Sequence, residues 1–193
     1  MPAISENHGA ILEQLESSEK VAARLIAGVS RVQMNWQPDQ GRSWSIWQCL
    51  DHLARTNRIY CQSMLEAIAH ARQKTKGTSA IRPGWFGRWY IAKMEPPVRT
   101  RFKTVKKVTP GAEGDGQVAL RDFVDSHAEA RRVMASWEQM DLNHVRFRNP
   151  FVPVLRFTVG TGLLIVNAHD RRHLWQAERV KESDGYRAVK GMS

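Results

Sequence analysis

The chain has few cysteines and no long apolar run, and both absences narrow the classes of protein to which it can belong. Its 193 residues include two cysteines, Cys49 and Cys61, which are too few for a disulfide framework. No apolar run approaches the roughly 18 residues that a membrane-spanning helix requires. Residues 1–20 carry glutamates and no early basic cluster with an apolar core, unlike a secretory signal. We therefore expect a protein of the reducing cytoplasm without a membrane span.

The rest of the composition is typical of a globular domain. Apolar residues make up 42% of the chain and charged residues 25%. The length is sufficient for one substantial core. We therefore expect a single domain over residues 1–193, in which residues 74–116 form an insertion and residues 184–193 a flexible tail.

Positive charge is concentrated in one stretch. The net charge is +10, and residues 82–108 contribute +7 of it, from eight basic residues against Glu95 alone. Aromatic residues lie between these charges, at Trp85, Phe86, Trp89 and Tyr90. Aromatic side chains among basic ones can stack on nucleic-acid bases, so a nucleic-acid or other anionic partner is one interpretation. The alternative is a segment that packs over the domain with its charges solvated.

Apolar residues recur at three- and four-residue steps in four long segments, which predicts four helices. The first predicted helix covers residues 3–35. The second runs from an N-cap at Ser45, or alternatively Ser43, to about residue 71. The third covers about residues 117–140, and the fourth covers residues 163–184 with a cap at Thr158 or Thr161. At the start of the second helix, Ser45 and Gln48 have the spacing of a capping box. The fold class is therefore predicted to be all-α.

The connections between these helices differ in length. Pro38 and Gly41 indicate a tight first link, which predicts that helices 1 and 2 are antiparallel neighbours. Residues 74–116 are rich in glycine and proline and form a long crossover, with a short helix at 85–94 and an extended arm at 98–108. Residues 143–159 are predicted to be an irregular link. This pattern predicts a four-helix bundle with a long crossover between helices 2 and 3.

Two histidines lie four residues apart in the last predicted helix. His169 and His173 therefore share one helical face, at the spacing with which two imidazoles can hold one metal ion. His52 lies among inward-facing positions of helix 2 and is the most plausible third ligand. Three protein ligands with an open position are typical of catalytic sites, and imidazole suits zinc or nickel. The alternatives are a solvated pair and, for His52, a core histidine.

Five further side chains are candidates to line the pocket or orient its ligands. They are Gln48, Cys49, His127, Arg172 and Gln176. Cys49 is either a fourth, soft ligand or a small buried hydrophobe, and the second role is favoured. For His127, a core or pocket role is favoured over metal ligation. Arg172 is placed to meet an anionic substrate at the pocket mouth, whereas helical phase directs Arg171 outwards.

Two motifs resemble those of one family. Trp44-Ser-Ile-Trp-Gln-Cys-Leu-Asp-His52 resembles the second-helix motif of the DinB/YfiT superfamily, and His169-Asp-Arg-Arg-His-Leu-Trp-Gln-Ala-Glu-Arg179 resembles its final-helix motif, most closely in the DinB-like branch. The resemblance implies a four-helix bundle with a crossover between helices 2 and 3. It also implies a divalent metal, nickel or zinc, on His52, His169 and His173, and often a homodimer. The basic stretch at 82–108 matches no functional motif of the family.

The activity that this resemblance implies is broad. Relatives include hydrolases and S-transferases that use a low-molecular-weight thiol such as bacillithiol or mycothiol. A metal with an open position lowers the pKa of a bound water or thiol, which then attacks a small-molecule substrate. We therefore predict a metal-dependent hydrolase or thiol S-transferase. The alternatives are a non-enzymatic bundle that serves as a scaffold or sensor, and an anion-binding module that uses residues 82–108.

Overall fold

Four long helices form the body of the protein, as predicted. The computed structural model describes residues 6–71, 77, 80–98 and 104–189. Its elements, in chain order, are α1 His8–Ile26, α2 Arg31–Asn35, α3 Pro38–Gly41, α4 Ile46–Ala69, α5 Trp85–Met94, the 3-10 turn η1 Lys106–Val108, α6 Gly116–Met134, β1 Arg146–Arg148, β2 Arg156–Thr158, α7 Val159–Glu182 and α8 Asp184–Val189. The bundle consists of α1, α4, α6 and α7. None of the described helices combines the length and apolarity needed to cross a membrane.

The first two bundle helices are not the close neighbours that the tight link predicts. Helix α1 packs chiefly on α6 and α7, and α4 also packs chiefly on α6 and α7. Contacts between α1 and α4 are few, so these two helices occupy opposite corners of the bundle. The reason is the connection at residues 27–45, which contains α2 and α3 and carries the chain across the end of the bundle.

The predicted first helix is interrupted near its end. Gly28 has φ +67°, a left-handed conformation that glycine adopts without steric cost and that terminates helices. The chain restarts as α2, where Ser30 and Gln33 form a capping box. The single helix predicted over residues 3–35 is therefore two helices, and its residues 3–5 lie outside the described residues.

Side-chain caps fix the starts of the two helices that carry the candidate ligands. The Ser45 hydroxyl accepts a hydrogen bond from the Gln48 amide at 3.1 Å, and the Gln48 side chain accepts one from the Ser45 amide at 3.1 Å. Helix α4 therefore begins where the capping box predicts. Of the two predicted caps of α7, Thr158 is the one used, since its hydroxyl accepts from the Thr161 amide at 3.2 Å.

The predicted irregular link at 143–159 contains a small antiparallel sheet. Strands β1 and β2 pair with Phe147 opposite Phe157, and both phenylalanines are buried while the flanking arginines are exposed. This alternation has the period of a strand. The sequence did not predict the strands because each has only three residues and because prolines lie between them. Helix α6 also ends earlier than predicted, at Met134, and residues 135–140 form turns that bury Trp137.

The crossover and the tail are described in part. The predicted short helix at 85–94 is confirmed as α5, whereas residues 99–103 of the predicted extended arm lie outside the described residues. The tail that was predicted to be flexible forms α8 as far as Val189. It is held there because Tyr186 is buried and packs edge-on against Trp36, with ring centroids 5.9 Å apart.

Candidate metal centre

Three histidines converge between α4 and α7, which pack against each other. His52 extends from α4, and His169 and His173 extend from α7. One ligand nitrogen from each ring lies within 4.8 Å of the other two. The Nε2 atoms of His52 and His169 are 3.4 Å apart. Zinc–nitrogen bonds of about 2.0–2.1 Å at tetrahedral angles place ligand nitrogens about 3.4 Å apart, so the three residues fit a metal ion.

Hydrogen bonds set the tautomers of two of these rings. The His52 Nδ1–H donates to the Val108 carbonyl oxygen at 2.7 Å, and the His173 Nδ1–H donates to Gln176 Oε1 at 2.9 Å. In a neutral imidazole, protonation at Nδ1 leaves Nε2 as a lone-pair donor. Gln176, a predicted pocket residue, therefore orients His173 in the way that ligand histidines are commonly held.

His169 is the ring whose polar atoms the fold leaves unsatisfied. Its Nδ1 is buried and has no hydrogen-bond partner among the described residues. Its Nε2 lies 3.4 Å from the Nε2 of His52, which is too long for a good hydrogen bond. A buried polar atom that lacks a hydrogen-bond partner lowers the stability of the fold. A cation shared by the Nε2 atoms would be bound through their lone pairs.

Burial keeps the three imidazoles neutral. Desolvation lowers the pKa of His52 and lowers those of His169 and His173 well below the ordinary histidine value. The neighbouring rings and the guanidinium of Arg172 lower the pKa of His169 and His173 further. The neutral imidazole is the form that binds metals. Trp44 covers the cluster, with its ring centroid 4.7 Å from that of His52 and 5.5 Å from that of His173.

The end of the crossover is anchored beside His52. The Gly111 amide donates to Asp51 Oδ2 at 3.0 Å, and Gln48 Nε2 donates to the Gly111 carbonyl at 3.0 Å. The Trp47 ring packs over Gly111 and Gly114, where added Cβ atoms would lie 2.9 Å and 2.3 Å from it. Gln48, which was predicted to line the pocket, therefore fastens the crossover to α4.

Two other predicted candidates lie away from the three nitrogens. Cys49 is fully buried in the apolar core, where burial raises the pKa of its thiol, so the role of small hydrophobe is the one the structure shows. His127 is fully buried in a different polar group. Its Nε2 is 3.0 Å from Asp170 Oδ2 and its Nδ1 is 2.9 Å from Glu19 Oε1.

Asp170 is the centre of that buried group. Its second oxygen accepts a hydrogen bond from Asn57 Nδ2 at 2.9 Å, and Glu19 Oε1 also accepts one from Arg131 Nη1 at 2.8 Å. The group therefore links α1, α4, α6 and α7 immediately beside His169. It fixes the register of α7 against the other helices, and with it the positions of the two candidate ligands, His169 and His173.

The two arginines between His169 and His173 lie on different sides of α7. Arg172 is 6% exposed, and one of its nitrogens donates to the Lys93 carbonyl of α5 at 3.1 Å, so it is buried rather than placed at an exposed mouth. Arg171 binds both carboxylate oxygens of Glu95, at 2.5 Å and 2.9 Å. This pair ties α7 to the end of α5.

Two groups that contact His52 were not among the predicted pocket residues. The Thr56 hydroxyl lies 3.5 Å from His52 Nε2, and its position one helical turn after the histidine predicts that the two are neighbours. The Val108 carbonyl could not have been found in this way. It is a backbone group from a distant part of the crossover, and any residue would supply it.

The aromatic residues of the basic stretch have two different environments. Phe86 and Tyr90 pack against Phe157, with ring centroids 5.7 Å and 5.2 Å away, and belong to the core. Trp85 and Trp89 are 74% and 44% exposed. Base stacking therefore stays a prediction for these two tryptophans, and several of the basic residues involved lie outside the described residues.

Comparisons with known proteins agree with this fold. A family model described as the DinB superfamily matches residues 14–177. No curated protein matches the chain in sequence. Among solved structures, YfiT from Bacillus subtilis, described as a probable metal-dependent hydrolase with an unusual four-helix bundle topology, is similar with a TM-score of 0.55. The two share 17% identity over 96% of this chain and 93% of that chain, a likeness that shows the fold.

Proposed function

The chain belongs to the DinB superfamily, and we propose that it is an enzyme that uses a divalent metal on His52, His169 and His173 to activate water or a small thiol. One observation carries this proposal: a nitrogen of each of the three neutral imidazoles lies within 4.8 Å of the other two. A divalent ion on three such nitrogens supplies a Lewis acid with an open position, where a water or thiol ionises near neutral pH.

The surrounding residues define what the chain itself contributes. Gln176 and the Val108 carbonyl hold two rings in the ligating tautomer. The Trp44 ring shields one side of the cluster from water, which strengthens electrostatic interactions within it. The Arg172 guanidinium is close enough to lower the pKa of His169 and His173, and the same positive charge favours an anionic nucleophile or substrate there.

Zinc and nickel both suit this donor set, since both accept imidazole nitrogen readily. The reaction that we propose is hydrolysis or thiol S-transfer on a small-molecule substrate, with bacillithiol or mycothiol as the type of thiol. These classes rest on the family resemblance of the two histidine motifs. A homodimer is proposed on the same ground.

An activity screen with matched variants tests the proposal. The metal-loaded protein is assayed for hydrolysis of 4-nitrophenyl acetate, and for conjugation of bacillithiol or mycothiol with 1-chloro-2,4-dinitrobenzene. We expect at least one activity that is lost after chelation and in His169→Ala, and restored to the native protein by zinc or nickel. His144→Ala is the control, because the His144 side chain is 82% exposed and pairs with Asp141 away from the cluster.

The control also defines the contradicting result. If activity survives chelation, or if His169→Ala and His144→Ala retain it equally, the three histidines do not carry the reaction. Absence of both activities in metal-loaded protein would remove the two proposed reaction classes.

A further inference from the structure

A cleft lies at the end of α4 that is opposite to the three histidines. It has a volume of about 430 Å³ and is lined by Arg146 and Arg148 of β1, by Glu66 of α4 and by His70, the residue that follows α4. Fourteen residues separate His52 from Glu66, which corresponds to about 20 Å along a helix axis. The volume is within the range of small-molecule sites. The cleft is therefore separate from the three histidines and large enough for a ligand of its own.

The two arginines are presented together and are unneutralised. They are two residues apart in a strand, so they share its exposed face, while Phe147 between them is buried. Among the residues that the structure describes, neither guanidinium has an ion-pair or side-chain hydrogen-bond partner, whereas the two backbones pair with β2. Arg156 lies directly opposite Arg148 in the sheet, a pairing of like charges that costs stability. An anion in the cleft would relieve that repulsion.

The frame around the arginines is rigid. Asn149 Oδ1 accepts hydrogen bonds from the amides of Phe151 at 2.8 Å and Val152 at 3.0 Å, which closes the turn that follows β1. Two prolines of this segment, Pro150 and Pro153, also line the cleft. Their fixed φ angles limit the turn further. Little ordering is therefore needed when a ligand binds.

The opposite wall adds a polar group. The His70 Nδ1–H donates to the Glu66 carbonyl at 2.7 Å, which leaves Nε2 for another partner. Half-buried Ala67 lies beside it and, with the prolines, provides apolar surface. The wall thus combines a hydrogen-bonding group with surface for the carbon skeleton of a ligand.

We propose that this cleft binds the phosphate group of a small molecule. Guanidinium forks bind phosphate through paired hydrogen bonds, and side chains two residues apart on a strand, about 7 Å, can reach one tetrahedral anion from two sides. The competing explanation is that Arg146 and Arg148 only offset Glu66 and the terminal carbonyls of α4. The two explanations predict opposite results when the arginines and Glu66 are changed.

Calorimetric titration of inorganic phosphate into the full-length protein, at constant ionic strength near neutral pH, tests the proposal. We expect saturable binding that weakens by about tenfold or more in Arg146→Gln/Arg148→Gln. Arg148→Lys, which keeps the charge and loses the fork, weakens binding by less. We expect Glu66→Gln to bind phosphate more tightly, because the substitution removes a negative charge that repels the anion. Circular dichroism confirms that each variant is folded.

Arg121→Gln is the control for a loss of positive charge outside the cleft, since Arg121 is exposed on α6 and does not line the cleft. We expect this variant to bind phosphate as the native protein does. The proposal is overturned if the native protein does not bind phosphate, or if Arg121→Gln weakens binding as much as the loss of an arginine in the cleft. It is also overturned if binding is lost only in His169→Ala, because the phosphate would then lie at the metal centre.

Discussion

The buried histidine beside the metal centre makes the stability of the fold depend on pH. His127 lies between Asp170 and Glu19, at 3.0 Å and 2.9 Å. Burial alone would lower the pKa of His127, but the two carboxylates outweigh burial and raise it to about 9. His127 is therefore an imidazolium in the folded protein at neutral pH, and its charge joins α6 to α1 and α7.

The direction of the pH dependence follows from this raised pKa. In the unfolded chain, histidine has a pKa of about 6.5, so the folded state holds more protons between about pH 6.5 and 9. The stabilisation is complete below about pH 6.5 and is lost as the pH rises through about 9. With these two pKa values, the contribution of His127 to the free energy of unfolding falls by about 2 kcal/mol between about pH 6 and 8.

Urea unfolding of the metal-free protein across this pH range is the assay, with His127→Gln as the comparison. The variant leaves Asp170 and Glu19 without their cationic partner, so we expect it to be about 3–5 kcal/mol less stable near neutral pH. As the pH rises, the free energy of unfolding of this variant should not show the decrease that His127 causes in the native protein. The difference between the native and variant curves therefore isolates His127.

Other groups contribute equally to both proteins and cancel in this difference. Burial raises the pKa of the Cys49 and Cys61 thiols, so both proteins lose stability above about pH 8.5 as the unfolded thiols ionise. The lowered pKa values of His52, His169 and His173 add stability as the pH rises to about 6.5 in both proteins. Parallel curves for the native protein and His127→Gln would refute the reasoning.

Three further predictions concern the supports of the metal centre. Gln176→Ala removes the acceptor of the His173 Nδ1–H, and we expect metal affinity, measured by competition with a chromogenic chelator, to fall by about 10–100-fold. Gly114→Ala places a Cβ 2.3 Å from Trp47, and we expect about 1–3 kcal/mol less stability in urea unfolding. Ser45→Ala removes the cap of α4, and we expect a loss of about 1 kcal/mol in the same assay.

Each of these predictions has its own contradicting result. Unchanged metal affinity in Gln176→Ala would show that His173 does not need its oriented tautomer. Gly84→Ala is the control for Gly114→Ala, because an added Cβ at Gly84 has open space around it. Equal effects of the two glycine substitutions would show that the packing of the crossover on Trp47 does not stabilise the fold. Native stability in Ser45→Ala would exclude a contribution of the cap.

The features that the sequence predicts correctly are those that local patterns specify. Apolar periodicity identifies the four long helices, and the capping pair Ser45 and Gln48 identifies the start of α4. The histidine cluster follows from the same logic. Four-residue spacing places His169 and His173 on one face, and inward phase places His52 opposite them.

The features that sequence reasoning missed depend on contacts between distant segments. The diagonal placement of α1 and α4 results from the packing of α2 and α3 across the bundle end, and the lengths of the links do not determine it. Gln48 fastens the crossover through the Gly111 carbonyl, a contact that spans 63 residues. The break at Gly28 was missed within the helix predicted over residues 3–35, because its positive φ angle is a property of the folded backbone.

Metal analysis tests the central claim most directly. The protein is purified without a histidine tag, and its zinc and nickel are measured by mass spectrometry, alongside His169→Ala and His144→Ala prepared in the same way. The account predicts one divalent ion per native chain, the same for His144→Ala, and its loss in His169→Ala. Native protein that holds no stoichiometric metal when zinc or nickel is supplied, or metal that persists in His169→Ala, would contradict it.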